Sequence, residues 1–471
     1  MKKKAETAEK KNGLFLAVGI VFILAVVLTW IIKGGSFQGA EFVKADYTRL
    51  GLHEIFTIPF YSIYYFVIQV VLLFAIAMFY GVVSKTSGYK SLVSKFANFL
   101  KGKEIVFALV TSLLVAIFTA FSSQWLVVLI FMPLLISICA ELKMDKIAAF
   151  SLSFGSILVG VLGATYGTEV VSFFTYYAGS KLTDLMVTKW IIFAIAFIGF
   201  NLFTVLRLIS VKKNKNALEL TDPLANDVEV KKASIWPMIV IFAVLFVIMV
   251  LGFVNWNNIH ETKIFTDLLT KINEVHIGKD FFIFKYLLGN VAAFGAFALE
   301  AAIVLLSIAT IIVTIIYGVK IDELFENMVD GVKAFIKPIL LVPFAYCVFI
   351  VVYMSPFVPT IVNAITDAES KLAPFLVSVA GMITSLFNVD YGYTAYNIGS
   401  FFASIFPKDV SAVSLVLTSM YGLMMFILPT SLGLIFGLQY VGISYKTWLK
   451  HIWKFILPMF VILEIIYFII L

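Results

Sequence analysis

Four carboxylates stand inside strongly apolar stretches of this 471-residue sequence: Glu169, Glu300 within Phe297-Ala298-Leu299-Glu300-Ala301-Ala302, Asp390 and Glu464. A charge at the centre of a membrane helix costs about 2.5–3.5 kcal/mol on insertion scales, so each is read first as functional, pairing a cation or carrying a proton. Glu169 also fits an outer interface, and Glu464 a structural pairing near lipid. No Lys or Arg is read at the same depth. Short clusters of hydroxyl, amide, glycine and proline accompany these acids: Phe121-Ser122-Ser123-Gln124, Gly163-Ala164-Thr165-Tyr166-Gly167-Thr168, Phe387-Asn388-Val389-Asp390-Tyr391-Gly392 and Pro429-Thr430-Ser431. Such residues can interrupt a helix at mid-membrane. One new end then exposes N–H groups that attract a carboxylate, and the other exposes carbonyls that ligate Na+ or an ammonium. Plain packing is the competing account, because small residues and proline are ordinary in membrane helices. For the 122–124 and 388–392 clusters the competing account is a solvated surface turn.

Enzyme chemistry lacks its residues. His53, His260, His276 and His451 all fall in loops or at interfaces, which disfavours a buried Ser-His or H-E-x-x-H site. No G-x-x-x-x-G-K-[ST] phosphate loop occurs, so any energy is expected from ion gradients. Cys139 and Cys347 lie in apolar segments without metal spacing and read as core residues.

The elements that must hold these clusters are membrane helices. The chain is 62% apolar and 13% charged, against roughly 45–50% and about 25% in soluble domains. Its longest polar stretches, 207–234 and 255–279, leave no room for a soluble catalytic domain. Apolar windows predict crossings near 14–32, 58–83, 188–210, 236–254, 284–317, 334–353 and 455–471. Residues 104–179 and 372–443 are apolar but interrupted, as hairpins and broken helices are. The lysine-rich amino terminus precedes an apolar run too long for a signal peptide, and reads as a retained first helix. Placing that terminus in the cytoplasm puts 24 of the 35 Lys and Arg on the inner side, so the net charge of +7 reports topology and not nucleic acid.

The two interrupted regions share a spacing. Ser122-Ser123-Gln124 stands 23 to 21 residues before Asp145, and Leu386-Phe387-Asn388 the same distance before Asp409. Twenty residues beyond each aspartate come the 163–167 and 429–431 clusters, and each is followed by a lysine turn and a tryptophan, Trp190 or Trp448. We read an internal duplication whose copies start on opposite sides of the bilayer, the signature of a secondary transporter.

Ile427-Leu428-Pro429-Thr430-Ser431-Leu432-Gly433 followed by Val441-Gly442-Ile443-Ser444-Tyr445-Lys446-Thr447-Trp448-Leu449-Lys450 resembles the carboxy-terminal signature of YfcC-type carriers. These are relatives of the anaerobic C4-dicarboxylate carriers, grouped with arginine/ornithine antiporters in the ion-transporter superfamily. Leu28-Thr29-Trp30-Ile31-Ile32, with Gly34, Gly35 and Phe37, resembles that family's first helix end, and the regions of Glu300 and Asp330-Gly331 its centre. The resemblance implies a scaffold plus a transport domain with two re-entrant hairpins, a homodimer, and an elevator-like displacement. Ser122-Ser123-Gln124 and Thr165-Tyr166-Gly167 depart from the family's acidic first tip and its Asn-Pro break.

The expectation is therefore an all-α polytopic membrane protein, an inverted-repeat secondary transporter with two re-entrant hairpins, two broken helices and about 9–11 membrane segments. Its parts would be scaffold helices in 1–103, a first repeat in 104–211, a cytoplasmic loop in 212–235, central scaffold helices in 236–370 and a second repeat in 371–471. Ser122, Ser123, Gln124, Thr165, Tyr166, Gly167, Asn388, Asp390, Pro429, Thr430 and Ser431 would bind substrate. Asp390, Glu300 and Glu169 would supply charge or coupling. The favoured substrate is an amino acid, as in arginine/ornithine exchange, since no buried cation balances a dicarboxylate. The alternatives are a Na+- or H+-coupled C4-dicarboxylate carrier, with Na+ near Ser122, Thr165, Asn388 and Thr430, and a non-transporting membrane scaffold or receptor. No cofactor beyond Na+ or H+ is expected. The expected setting is the plasma membrane, with the bilayer, a small solute and a second copy as partners.

Overall fold

The computed structural model describes residues 13–167, 170–214, 217–226, 234–260, 263–278, 281–366, 372–387 and 391–471. The chain is an all-α polytopic membrane protein. Among the described residues seven helices are long and apolar enough to cross a bilayer, and a bent pair supplies an eighth.

The amino-terminal helices are α1 (Leu14–Ile31), the pair α2 (Leu52–Tyr65) and α3 (Val67–Val83), bent by 69° at Phe66, and α4 (Ser87–Leu100). A two-stranded hairpin, β1 (Gly35–Gln38) with β2 (Glu41–Lys44), follows α1. The first repeat then runs α5 (Glu104–Ser122), α6 (Trp125–Glu141), α7 (Lys146–Leu162), α8 (Val170–Ala178) and α9 (Met186–Asn214). Next come α10 (Trp236–Phe253), α11 (Leu299–Tyr317), α12 (Ile321–Met354) and α13 (Val358–Ile365). The second repeat is α14 (Ala373–Phe387), α15 (Tyr391–Ile405), α16 (Val410–Met424), α17 (Leu432–Val441) and α18 (Tyr445–Ile470).

Helix α12 is a spine for its neighbours, packing on α1, α2 and α3, while α11 covers α3. Its crossing with α3 is backbone on backbone. A Cβ on Gly81 would sit 2.2 Å from the Asn327 carbonyl oxygen, and one on Gly331 2.1 Å from that of Ala77. Only glycine allows that approach.

The repeats correspond helix for helix, α5–α9 with α14–α18, and α5 packs on α7 as α14 packs on α16. Their opposed sense follows from which ends meet. Asp145, at the start of α7, is bonded by Arg207 near the end of α9, whereas Ser411, at the start of α16, donates to Asp184 just before α9 at 2.6 Å. About 33 Å of helix separates residues 185 and 207. Equivalent helices thus begin at opposite ends of α9, and Lys146 Nζ reaches the Gly442 carbonyl at the far end of α17.

A strap, residues 217–226, follows α9. Leu218 N–H donates to Asp145 Oδ2 at 2.7 Å and its carbonyl accepts from Lys146 N at 3.0 Å. Leu220 and Leu224 are buried. At the strap's far end Asn226 Nδ2 donates to the Ser84 carbonyl and Lys90 Nζ to the Asn226 carbonyl, at 3.1 and 3.0 Å. Between them burial raises the Asp222 carboxyl above its ordinary range, aided by nearby Glu141.

Three expectations change. The window 284–317 is not one crossing: Gly289 and Gly295 take φ of 63° and 88°, and the spanning helix starts only at Leu299. Glu300 therefore lies in the first turn of α11, exposed, where the positive end of the helix dipole favours a carboxylate, and not mid-crossing. Residues 87–100, counted as loop, form the amphipathic helix α4, capped by the Thr86 hydroxyl. Helix α7 carries a π turn at Ser151–Gly155, where the Ser151, Ser153 and Ser156 hydroxyls bond back to preceding carbonyls.

Candidate functional site

The first tip is closed by its own hydroxyl. Ser122 Oγ donates to the Phe118 carbonyl at 2.7 Å and accepts from Gln124 N–H at 3.1 Å, and Ser123 turns the chain with φ of 56°. Ser122 and Ser123 are 0% exposed and Gln124 8%, which excludes a solvated surface turn. Among the described residues the Ser123 hydroxyl has no hydrogen-bond partner.

Helix α7 stops at Leu162 because Gly163 brings the chain onto α9, where an added Cβ would lie 2.6 Å from Phe193 Cα. The released strand crosses the tip. Thr165 N, Gly167 N and Thr165 Oγ1 all donate to the Ala120 carbonyl, at 3.0, 3.1 and 3.2 Å. Gly167 lies over Ser123, and a Cβ there would be 1.8 Å from Ser123 Oγ. The first break thus spends its Thr165 and Gly167 amides within the protein. Tyr166 is half-buried, with its ring 5.3 Å from that of Phe121, which in turn meets Trp190.

The second break repeats one of these contacts: Thr430 Oγ1 donates to the Leu386 carbonyl at 3.2 Å, as Thr165 does to Ala120. Its two helix ends are treated differently. On the α16 side Trp448 Nε1 donates to the Phe426 carbonyl at 2.8 Å and the Tyr445 hydroxyl to that of Ile427, so the acceptors are satisfied by α18. On the α17 side Pro429 and Thr430 turn the chain into Ser431, which occupies the cap position without capping. Among the described residues its hydroxyl has no partner; the residue is 1% exposed, and Leu432, Gly433 and Leu434 are buried. The first amides of a helix have no partner within it, so this buried end presents donors and a positive dipole to an anion.

The repeats bring these parts together crosswise. Trp125, beside the first tip, packs against Gly433 at the start of α17. Tyr177 of α8 packs against Gly399 of α15. At the centre α7 crosses α16 so closely that a Cβ on Gly422 would lie 2.3 Å from Leu162 Cα, next to both breaks. Asn388, Asp390, Thr168 and Glu169 lie outside the described residues. Glu300 is far along the chain from this cluster and exposed, and Glu464, half-buried on α18, faces Ser378 of α14.

Two features escaped the sequence. A cavity of about 430 Å³ opens between α2 and α12 on one side and α8 and α15 on the other, walled by Tyr65, Phe349, Tyr353, Tyr177, Tyr393 and Tyr396. Its rings form a chain, with Tyr353–Tyr393 centroids 5.7 Å apart, Phe349–Tyr393 4.9 Å and Tyr177–Tyr396 5.5 Å. Aromatic faces attract organic cations. Elsewhere Tyr440 of α17 closes on Phe335 of α12, 4.8 Å between rings. The clustering of Tyr391, Tyr393 and Tyr396 was the available signal. The other feature is Asp145, fully buried with five donors, which sequence spacing used only as a marker. Lys189, placed in a turn, is buried at the start of α9 with its ammonium on the Leu182 carbonyl at 2.6 Å.

No family model matches the sequence, and no curated protein matches it. Among solved structures the chain is similar to the Alcanivorax borkumensis YdaH transporter. The two share 12% identity over 97% of this chain and 98% of the other, with a TM-score of 0.42.

Proposed function

We propose that the protein is a secondary active carrier or exchanger of a small organic ion, with an amino acid as the favoured substrate. The observation that carries this reading is the buried, uncapped start of α17 with its unpartnered Ser431 hydroxyl, at one of two matched helix breaks. A carboxylate there gains the free amides and the dipole. The nearby carbonyls are taken by Trp448 and Tyr445, so the break is disposed to an anion and not to a metal cation. The tyrosine-walled cavity supplies a complementary surface for an ammonium or guanidinium arriving from one side, and Asp390 is the acid proposed to meet it. Alternating access would follow from displacement of the two repeats against the α12 spine, with Tyr440 and Phe335 parting as the cavity closes. The amino terminus is proposed to face the cytoplasm.

Counterflow into proteoliposomes with amino acids and dicarboxylates, each with and without Na+ and a pH gradient, tests the reading. Ser431→Ala should raise KM for carboxylate solutes by about tenfold or more, the loss expected for a hydrogen bond to a charged group. Asp390→Asn should impair binding or coupling of cationic amino acids, and unchanged kinetics would remove Asp390 from the site. A Na+-coupled dicarboxylate carrier is the second reading, favoured by the unpartnered buried Ser123 hydroxyl as an oxygen ligand. Sodium dependence with competition by succinate would assign it.

A further inference from the structure

The last helices of the two repeats, α9 and α18, run beside one another and leave a groove of about 520 Å³ between them. Its chemistry changes along its length. One end is formed by Arg207, Ser210, His451 and Lys454. The rest is apolar, with Ile195, Leu202, Phe203, Phe455 and Ile462 as its walls and Gly199 as part of its floor. From residue 195 to 210 the groove follows about 22 Å of helix, more than the roughly 15 Å of one leaflet's hydrocarbon. It therefore extends from acyl depth into the headgroup layer.

The basic end has charge to spare. The negative charge of Asp145 is already matched by Arg207, through bonds of 2.9 and 2.7 Å. Lys454 is exposed and has no ion pair among the described residues. His451 Nδ1 donates to the Thr447 carbonyl at 2.8 Å, which leaves Nε2 for another partner. Lys446 and Lys450, two turns and one turn before Lys454, are exposed on the same helical row. Among the described residues no acid lines the groove.

We infer that this groove is a binding site for a phospholipid with a net negative headgroup, its phosphate at Lys454, His451 and Ser210 and one acyl chain lying along α9 and α18 as far as Ile195. The inference is independent of the carrier reading. A basic pocket between membrane helices at headgroup depth is the form such sites take. A zwitterionic headgroup would bring its own cation against Lys454, and a free phosphate would leave the apolar length unfilled. A lipid seated here would bridge the two repeats without touching the scaffold.

The purified full chain in detergent tests this by native mass spectrometry and by thermal unfolding, titrated with phosphatidylglycerol, phosphatidylcholine or inorganic phosphate. Phosphatidylglycerol should be retained and raise Tm, and the other two should do neither at the same concentration. Lys454→Gln with His451→Gln should weaken phosphatidylglycerol retention at least tenfold. Gly199→Leu, which adds bulk to the groove floor beside Phe455, should weaken it through the chain. Should the double variant be poorly folded, Lys454→Gln alone, at an exposed side chain, should still weaken retention at least threefold. Equal retention of phosphatidylcholine, an equal Tm rise with inorganic phosphate, or full phosphatidylglycerol affinity in the folded charge variants would each overturn the assignment.

Discussion

Removing Arg207 should unfasten the start of α7 and the strap together. Asp145 is 0% exposed at its side chain and receives five hydrogen bonds, from Ile147 N, Ala148 N, Leu218 N, Arg207 Nε and Arg207 Nη2. Arg207→Gln deletes the only cation among them. Two charge-assisted bonds are worth about 1.5–3 kcal/mol each, and stranding a buried charge costs about 3–5 kcal/mol. The three backbone donors soften the loss, so we expect about 4 kcal/mol. At 1.36 kcal/mol per decade this is about a thousandfold rise in opening of the strap, read as the rate of limited proteolysis within residues 217–226 of the detergent-solubilised protein. Asp145→Asn on the same background keeps a capping oxygen and removes the stranded charge, and should recover about half of the loss. A single variant that changes proteolysis less than tenfold would mean that the pair behaves as a surface ion pair, and the reasoning from burial would fail.

Gly422→Val should separate α7 from α16, costing about 1–3 kcal/mol in thermal unfolding, because its Cβ meets Leu162 backbone at 2.3 Å; a variant as stable as the parent would refute that contact. Thr165→Val and Thr430→Val should each cost about 1 kcal/mol, with near-equal effects since each loses the same bond to a hairpin carbonyl; a several-fold disparity would argue against equivalence of the two breaks. The Asp184 carboxyl, held below its usual range by the Ser411 hydroxyl and the Lys181 amide, ties the turn before α9 to α16. Its folded value is depressed, so the tie is fully present above a carboxylate's ordinary pKa of about 3.9 and is lost as pH falls through the folded value. Amide exchange at 179–185 should therefore rise on acidification below about pH 4, and the rise should be blunted in Ser411→Ala.

The periodic and compositional parts of the fold were legible. Eighteen residues, apolar but for Gly19 and Thr29, make α1, and the spacing from polar tip to aspartate to Gly/Pro cluster marked two chains of helices that correspond in the structure. What failed did so for physical reasons. Hydropathy averages over a window, so it could not see Gly289 and Gly295 turn the chain before Leu299, and Glu300 was placed too deep. Lysines hid the buried face of α4. Asp145 and Arg207 are 62 residues apart, and the rings of the aromatic cavity come from elements hundreds of residues apart, distances over which no local pattern speaks. Within the site, the sequence named Ser431 among many hydroxyls. Only the structure separated it from Thr430, which has a partner, and from Ser122, which is used in its own turn.

The strap is fastened to two bodies at once, to α7 by Asp145 and to the α3–α4 corner by Asn226. A tether across a joint sets how far the joint can travel before one knot slips. The knot at Asp145 is a buried ion pair, and the one at Asn226 is half-wetted and holds one ammonium, that of Lys90, on a neutral carbonyl, so travel should undo the second and spare the first. Deuterium uptake during turnover that rises at 224–226 while 218–220 stays protected would show the tether working this way, and uniform uptake along the strap would show that it does not.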